Sequence, residues 1–210
     1  MSVDVDSNQS TIIPACEILD KIERGDPVEY EGVIVEGDLD LSKLIPPKVH
    51  VEYKIEELGP IEKTKQIVRS PITIKNSEIR GGVKFSNAIL EENVNFEGTN
   101  FERDAEFEGS QFEGDYSSFR FTQFNGYANF RDTEFIKSAD FREVQFKSPA
   151  DFRKARFGGS ADFGGTQFGG IADFAGMEVK GDAIFQGSNF GRYADFKDTE
   201  FIEAADFRGV

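Results

Sequence analysis

The chain has 210 residues, of which 38% are hydrophobic and 13% aromatic, enough for the core of one or two ordinary domains or of one solenoid. Its formal net charge of −15 disfavours direct binding to nucleic acid through a basic surface. The single cysteine, Cys16, excludes a disulfide within the chain and favours a reducing compartment, so we expect a cytoplasmic protein.

Residues 1–27 are predicted to form an N-terminal tail and a capping helix. Residues 1–9 have no apolar stretch, which argues against a signal peptide and indicates disorder. Ser10 or Thr11 would cap the helix, Pro14 would lie in its first turn, and Gly25 would end it. We expect Cys16 on the apolar side of this helix. The helix would cover the open end of a solenoid; the alternative is a loosely attached arm.

Residues 28–41 indicate the strands of a first coil, because Val33 and Val35, and later Leu39 and Leu41, are spaced as inward-facing pairs on strands. Residues 42–71 break this pattern with two prolines, an alternating apolar run and a charged segment, and predict an irregular excursion or a β-hairpin. Nowhere does an apolar run approach the roughly 18 residues that a membrane-spanning helix needs, so no membrane segment is expected.

Residues 72–210 contain an internal repeat of eleven residues. From Ile74 to Phe207, large apolar residues recur at alternating steps of five and six, and all but one of the 22 phenylalanines follow this rhythm. Such spacing fits neither an amphipathic helix nor a long strand, but it fits short strands joined by tight turns. The residue two positions earlier is usually Ala, Ser or Thr, so each strand sends one small and one bulky side chain inward.

Four steps make a turn of 22 residues with four faces. A turn of eleven would place two phenylalanines in too small a cross-section. The longer turn predicts columns of stacked rings about 4.8 Å apart. One column would contain Phe85, Phe107, Phe130, Phe152, Phe174 and Phe196, and the opposite one Phe96, Phe119, Phe141, Phe163, Phe185 and Phe207.

One residue is extra between Phe112 and Phe119, where the step is seven. A bulge is the expected accommodation. It would lie near Tyr116 and near Phe121, the one phenylalanine outside the rhythm. We expect Phe121 to point outward or to fill the bulge.

The pattern of Ala150-Asp151-Phe152 and Ala161-Asp162-Phe163 resembles the pentapeptide-repeat proteins, in the subgroup whose units alternate between five and six residues. The resemblance covers residues 72–210 and, weakly, 33–41. It implies an all-β solenoid, a right-handed quadrilateral β-helix with about 22 residues per coil, here with a short N-terminal capping α-helix. It specifies the fold far better than the function.

No motif in the sequence indicates catalysis, a cofactor or a metal. Phosphate-binding loops, nucleophile elbows and zinc-protease pairs do not occur. His50 is the only histidine and Cys16 is distant, which leaves zinc or thiol chemistry unsupported. Aspartates such as Asp151 and Asp173 would stack between coils, where a solvated ladder of ion pairs with arginine is favoured over a cation site or an acid–base pair.

We therefore expect a non-enzymatic structural scaffold or protein–protein interaction module whose protein partner is unidentified. The alternative follows from the resemblance, because some members of that family are acidic DNA mimics that bind type II topoisomerases and modulate gyrase. A glycan-cleaving enzyme is disfavoured, since it needs a wider coil with a groove. The candidate partner-binding acidic patch comprises Glu91, Glu92, Glu97, Glu102, Asp104, Glu106 and Glu108.

Residues 207–210 stop inside a repeat unit, without a capping helix. This pattern predicts that the end of the rod is covered by a partner, by a second copy in a homodimer, or by a natural chain that continues further.

Overall fold

The computed structural model describes residues 10–45, 48–55 and 59–210. It is a parallel β-solenoid of about eight coils with about 22 residues per turn and one short N-terminal helix, which confirms the predicted fold class. The expected disorder of residues 1–9, and residues 46–47 and 56–58 of the expected excursion, lie outside the described residues.

The strands form four sheets, numbered here as faces 1 to 4 in the order in which each coil meets them. Face 1 contains β2 (Val28–Glu31), β7 (Ile72–Lys75), β11 (Val94–Asn95), β15 (Ser117–Ser118), β19 (Ala139–Asp140), β23 (Ala161–Asp162), β27 (Ala183–Ile184) and β31 (Ala205–Asp206). Face 2 contains β1 (Ile12–Pro14), β3 (Ile34–Glu36), β8 (Glu78–Ile79), β12 (Asn100–Phe101), β16 (Gln123–Phe124), β20 (Gln145–Phe146), β24 (Gln167–Phe168) and β28 (Asn189–Phe190). Face 3 contains β4 (Leu39–Asp40), β9 (Val83–Lys84), β13 (Ala105–Glu106), β17 (Ala128–Asn129), β21 (Ala150–Asp151), β25 (Ala172–Asp173) and β29 (Ala194–Asp195). Face 4 contains β5 (Lys48–Ile55), β6 (Gly59–Val68), β10 (Ala88–Leu90), β14 (Gln111–Phe112), β18 (Glu134–Phe135), β22 (Arg156–Phe157), β26 (Glu178–Val179) and β30 (Glu200–Phe201).

Strands of neighbouring coils pair in parallel, so equivalent residues lie directly above one another. Ala139 pairs with Ala161, for example. The antiparallel pairing of β5 with β6 is different and forms a hairpin within residues 42–71, preceded by a short 3-10 helix, Leu41–Lys43. Only residues 66–68 of β6 pair with β10, so the remainder of the hairpin extends beyond the coil.

Columns of phenylalanine rings fill the interior, as the repeat predicted. Within a column the rings stack, with centroids 4.9 Å apart for Phe130 and Phe152 and 5.0 Å apart for Phe141 and Phe163. Columns on opposite faces meet edge to face, as Phe141 and Phe152 do at 5.4 Å and 88°. Both arrangements are ones that aromatic rings prefer. At the start of the face 3 column, Phe85 and Phe107 instead pack edge to face at 5.9 Å.

Buried threonines and serines take part in the same core. The hydroxyl of Thr166 donates to the carbonyl oxygen of Phe141 at 2.6 Å, and that of Ser188 donates to the carbonyl of Phe163 at 3.0 Å. A buried hydroxyl needs such a partner, and these bonds supply one while joining consecutive coils. These hydrogen bonds explain why serine or threonine can occupy the small inward position in some strands while alanine occupies it in others.

Helix α1 (Ala15–Arg24) packs against β1, β2 and β4 at the start of the rod. It buries Ala15, Ile18, Leu19 and Ile22 in the common core, and Gly25 ends it in the left-handed conformation with φ 76°. It is therefore a cap of the first coil.

Two details predicted for this helix are wrong. The helix begins at Ala15, after Pro14, and no side chain caps it, because residues 12–14 form β1 and pair with β3. Thr11 is not a cap; its carbonyl oxygen accepts a bond from the amide of Ile34. Cys16 is exposed, since the buried stripe passes through Ala15 and leaves the next position facing solvent.

The extra residue is accommodated between β14 and β15, where Val94 pairs with Ser117 instead of with the residue one position earlier. Tyr116 lies at this bulge with 45% of its surface exposed. Phe121 points outward, 49% exposed, and has φ 57°, a conformation that is rare for bulky residues. The guanidinium of Arg120 lies 4.4 Å from its ring centroid.

Candidate interaction surface

The seven residues of the candidate acidic patch encircle the rod instead of forming one patch. Glu91 and Glu92 lie at the corner between faces 4 and 1, and Glu97 lies two residues after the end of β11 on face 1. The others are on the far side: Glu102 and Asp104 lie between β12 and β13, Glu106 lies on β13, and Glu108 follows it. The residues span nearly one coil, so their side chains form an acidic belt around it.

Within this belt the structure brings Glu106 and Glu108 together on face 3. The side-chain amide of Asn129 in the next coil donates to both carboxylates, at 3.0 and 3.3 Å. Glu91 is 3.4 Å from Arg69 in an ion pair, and Asp104 accepts a bond from the backbone amide of Tyr127 at 2.8 Å. Several carboxylates of the belt therefore make hydrogen bonds or ion pairs with a neighbouring coil.

The aspartates that precede the phenylalanines of faces 1 and 3 stabilise the following turns by accepting backbone hydrogen bonds. Asp140 accepts the backbone amide of Arg142 at 3.0 Å, and Asp151 accepts that of Arg153 at 3.0 Å. This two-residue pattern is a common one for aspartate in turns.

The arginines of these turns form the predicted ladder of ion pairs. Arg142 lies 2.5 Å from Asp140 of its own coil and 3.5 Å from Asp162 of the next. Arg153 repeats this on face 3, at 2.5 Å from Asp151 and 3.4 Å from Asp173. Both members of the Arg142–Asp140 pair are partly exposed, so this pair contributes little to stability, about 0–1 kcal/mol. Asp151 differs because its side chain is only 6% exposed, and its charge-assisted hydrogen bonds are worth more.

Asp151 and Asp162 differ in electrostatic environment. Burial acts to raise the pKa of Asp151, but hydrogen bonds from the side chain and backbone of Arg153 and from Tyr127 outweigh it, and its pKa is lowered. The pKa of Asp162 is raised, chiefly by burial and also by the charge of Asp140, against which the amide of Gly164 and Arg142 act only in part. Asp162 therefore carries a negative charge that its own surroundings do not fully stabilise.

This difference predicts opposite effects of two matched substitutions. Asp151→Asn should destabilise the protein at neutral pH by about 1–3 kcal/mol, because charge-assisted hydrogen bonds are lost. Asp162→Asn should be neutral or slightly stabilising, since asparagine keeps the bond to the amide of Gly164 and removes the unfavourable charge. Urea unfolding of both variants measures this.

The pH dependence has the corresponding signs. The contribution of Asp151 is present above its unfolded pKa and is lost as pH falls through its lowered folded pKa. Asp162 lowers the free energy of unfolding as pH rises from its unfolded pKa through its raised folded pKa. Below the unfolded pKa this carboxyl is protonated in both states, so Asp162→Asn should no longer be more stable than the natural protein in acid. Equal destabilisation by both substitutions would contradict the assignment.

A row of large side chains at the corner between faces 2 and 3 was not predicted from the sequence; its first member, Tyr127, is half-buried and the other three are exposed. Tyr127, Pro149, Ile171 and Tyr193 occupy equivalent positions in four successive coils, since each backbone carbonyl accepts from the alanine that begins the face 3 strand of the preceding coil. The hydroxyl of Tyr127 donates to Asp151 at 3.0 Å, and burial followed by the charge of Asp151 raises the pKa of that tyrosine. Their spacing of 22 residues was the available signal.

Shallow grooves mark the outer surface of the described residues. One of about 460 Å³ lies beside the hairpin, lined by Asp40, Lys84 and Glu106 of face 3 and by Thr64 and Gln66 of β6. Another, of about 450 Å³, runs along face 1.

The last described coil exposes part of its core. Phe196 and Phe201 are partly buried, and Phe207 is 40% exposed although it stacks on Phe185 at 4.9 Å. Ile202 and Val210 are exposed nearby.

In the described ranges, no group of three or more histidine, cysteine, aspartate or glutamate side chains is arranged to hold a metal ion. His50 lies on β5, and its side chain is outside the described residues. Across the same part of the chain, none of the helices has the length and apolar character required to cross a membrane.

The comparison with protein families gives one match. The family model described as pentapeptide repeats (9 copies) matches residues 74–123, 119–167, 130–177 and 163–210, which together form well over half of the chain. Comparison with curated proteins gave no match, and comparison with solved structures gave none. The repeat, the four-faced coil and this match agree: the chain belongs to the pentapeptide-repeat family.

Proposed function

We propose that the protein is a non-enzymatic structural scaffold or protein–protein interaction module that acts in the cytoplasm. The supporting observation is the filled interior: every phenylalanine from Phe85 to Phe185 except the outward-facing Phe121 is no more than 1% exposed. A ligand could therefore bind only on the outer faces. There, arginines and aspartates such as Arg153 and Asp151 form ion pairs with one another. The pentapeptide-repeat solenoids are generally non-catalytic, which supports the same proposal.

The core is partly exposed at the last described coil, where a second copy of the chain, another protein or a longer natural chain would each cover it, and we propose the second copy as the case to test. A homodimer would cover Phe207, Ile202 and Val210, whose exposure leaves apolar surface and strand edges open. The homodimer is a proposal of its own and is separable from binding of another protein along the faces.

Light scattering coupled to size exclusion tests this contact. A homodimer should have twice the 23.5 kDa mass of one chain, and Phe207→Glu together with Ile202→Glu should return it to one chain mass. Ile45→Glu is the matched control, because Ile45 is 87% exposed near the opposite end and should leave the mass unchanged. A strictly monomeric protein that also captures no partner in affinity purification would count against the scaffold proposal.

An acidic DNA mimic that binds a type II topoisomerase is the second candidate function. The net charge of −15 favours it, as does the acidic belt. Against it, the belt surrounds one coil, whereas duplex DNA presents its phosphates along an axis. A gyrase supercoiling assay distinguishes the two: inhibition or protection at micromolar protein that is lost in Glu102→Gln/Glu106→Gln/Glu108→Gln supports mimicry, and no effect removes it.

A further inference from the structure

The groove on face 1 runs along the rod axis across five successive strands. Its floor is formed by the outward residues of these strands, Asn95, Ser118, Asp140, Asp162 and Ile184. With strands about 4.8 Å apart, the groove is roughly 19 Å long, which corresponds to about six residues of extended peptide.

Tyr116, beside the one-residue insertion, forms a wall of the groove. Tyr116 stands at the corner position that Ser138 and Ser160 occupy in the following coils, so a large exposed ring rises above two small side chains. Ser118 also takes the place that Asn95 and Asp140 hold in the neighbouring strands, which lowers the floor beside the ring. The site thus has an aromatic wall at one end and Ile184 at the other.

The charges of the lining are predominantly negative. Among the lining residues, Glu97, Asp115, Asp140 and Asp162 outnumber one cation, Arg142, which gives a net charge of −3. Arg120 is not part of the lining, but its positive charge also acts on Asp162. Arg142 is engaged by Asp140 and Asp162, while Glu97 and Asp115 have no ion pair within the part of the chain that the structure describes.

These features together specify the ligand chemistry. The apolar ends, at Tyr116 and Ile184, are three coils apart, roughly 14 Å, or about four residues of an extended chain. Carboxylates between them complement a cationic side chain. Tyrosine is one of the residues enriched at binding hot spots in protein interfaces.

We propose that this groove binds an extended segment of a partner protein in which two apolar residues about four positions apart enclose lysine or arginine. The apolar residues pack on Tyr116 and Ile184, and the basic side chain lies over Asp140 and Asp162. This inference rests on the proposed function as an interaction module and assigns it to one face. A free polyamine shares the charge but lacks the apolar side chains that the two ends require.

Selection from a displayed library of random nine-residue peptides on the immobilised full-length protein tests the proposal. Enriched peptides should contain lysine or arginine between apolar residues about four positions apart. In fluorescence anisotropy, a synthetic enriched peptide should bind Asp140→Asn/Asp162→Asn at least tenfold more weakly, and Tyr116→Ser similarly. Spermidine at the concentration of the peptide should not displace it.

Matched controls lie on and beside face 3. Asp173→Asn/Asp195→Asn changes two aspartates that make the same bond to a backbone amide, and Tyr193→Ser changes a tyrosine that is more exposed than Tyr116; neither should alter peptide binding. Unfolding midpoints of all variants verify that they are folded. Selection without enrichment of basic peptides, loss of binding only in the control variants, or displacement by spermidine would overturn the groove assignment. If an enriched peptide or a full-length partner binds but is unaffected by the groove variants, the groove is excluded while the interaction function stands.

Discussion

Replacing Phe141 with alanine should lower the free energy of unfolding by about 3–5 kcal/mol. The ring is fully buried, stacks on Phe119 at 4.9 Å and on Phe163 at 5.0 Å, and meets Phe130 and Phe152 edge to face. Backbone hydrogen bonds on four faces fix the distance between coils, so the walls cannot close around the void. Urea unfolding measures the loss.

Phe207→Ala is the control, because this ring occupies the same column but is 40% exposed. Its removal opens no closed cavity, and we expect well under half of the loss seen for Phe141→Ala. If the two substitutions cost the same, column packing between coils would not be the main stabilising contribution.

Gly81→Ala should be the second most damaging change, by about 1–3 kcal/mol. A β-carbon at this corner between faces 2 and 3 would lie 1.9 Å from the carbonyl oxygen of Gly37 in the preceding coil. The obstacle is backbone, so a rotamer change cannot relieve it and the first two coils must move apart. Thermal and urea unfolding would both report the destabilisation.

Gly82→Ala is the adjacent control. A β-carbon there would meet no atom closer than 3.8 Å, and neither glycine has a positive φ. Replacement should therefore change stability by only a few tenths of a kcal/mol, in line with ordinary surface sites. Similar losses at both positions would show that the close approach of the coils is not what requires glycine.

The core could be read from the sequence because its spacing is strict. A phenylalanine every five or six residues leaves few ways to bury all the rings, and the four-faced coil with stacked columns satisfies them all. The ladders of aspartate and arginine could be predicted from the length of one turn. Residues 22 positions apart, such as Asp140 and Asp162, must lie above one another.

Features that depend on tertiary contacts were less accessible. Ile12, Ile13 and Pro14 have no strand signal of their own; they form β1 because β3 offers an unpaired edge. Charge clustering along the sequence also failed to predict a surface patch, because a turn of 22 residues distributes consecutive acidic side chains around four faces. The groove on face 1 depends on the ring of Tyr116, and the sequence showed the insertion beside this residue but not the direction in which the ring points.

The exact vertical repeat of the coils makes the length of the rod adjustable in whole units. Excising residues 142–163 would join Phe141 to Gly164, the residue that follows the equivalent phenylalanine one coil later. Every subsequent side chain would keep its face and simply lie about 4.8 Å nearer the N-terminal helix. Loss or duplication of a gene segment of 66 nucleotides, which encodes one coil of 22 residues, would therefore preserve the reading frame and the face on which each later side chain lies. The coil that carries the insertion is the exception.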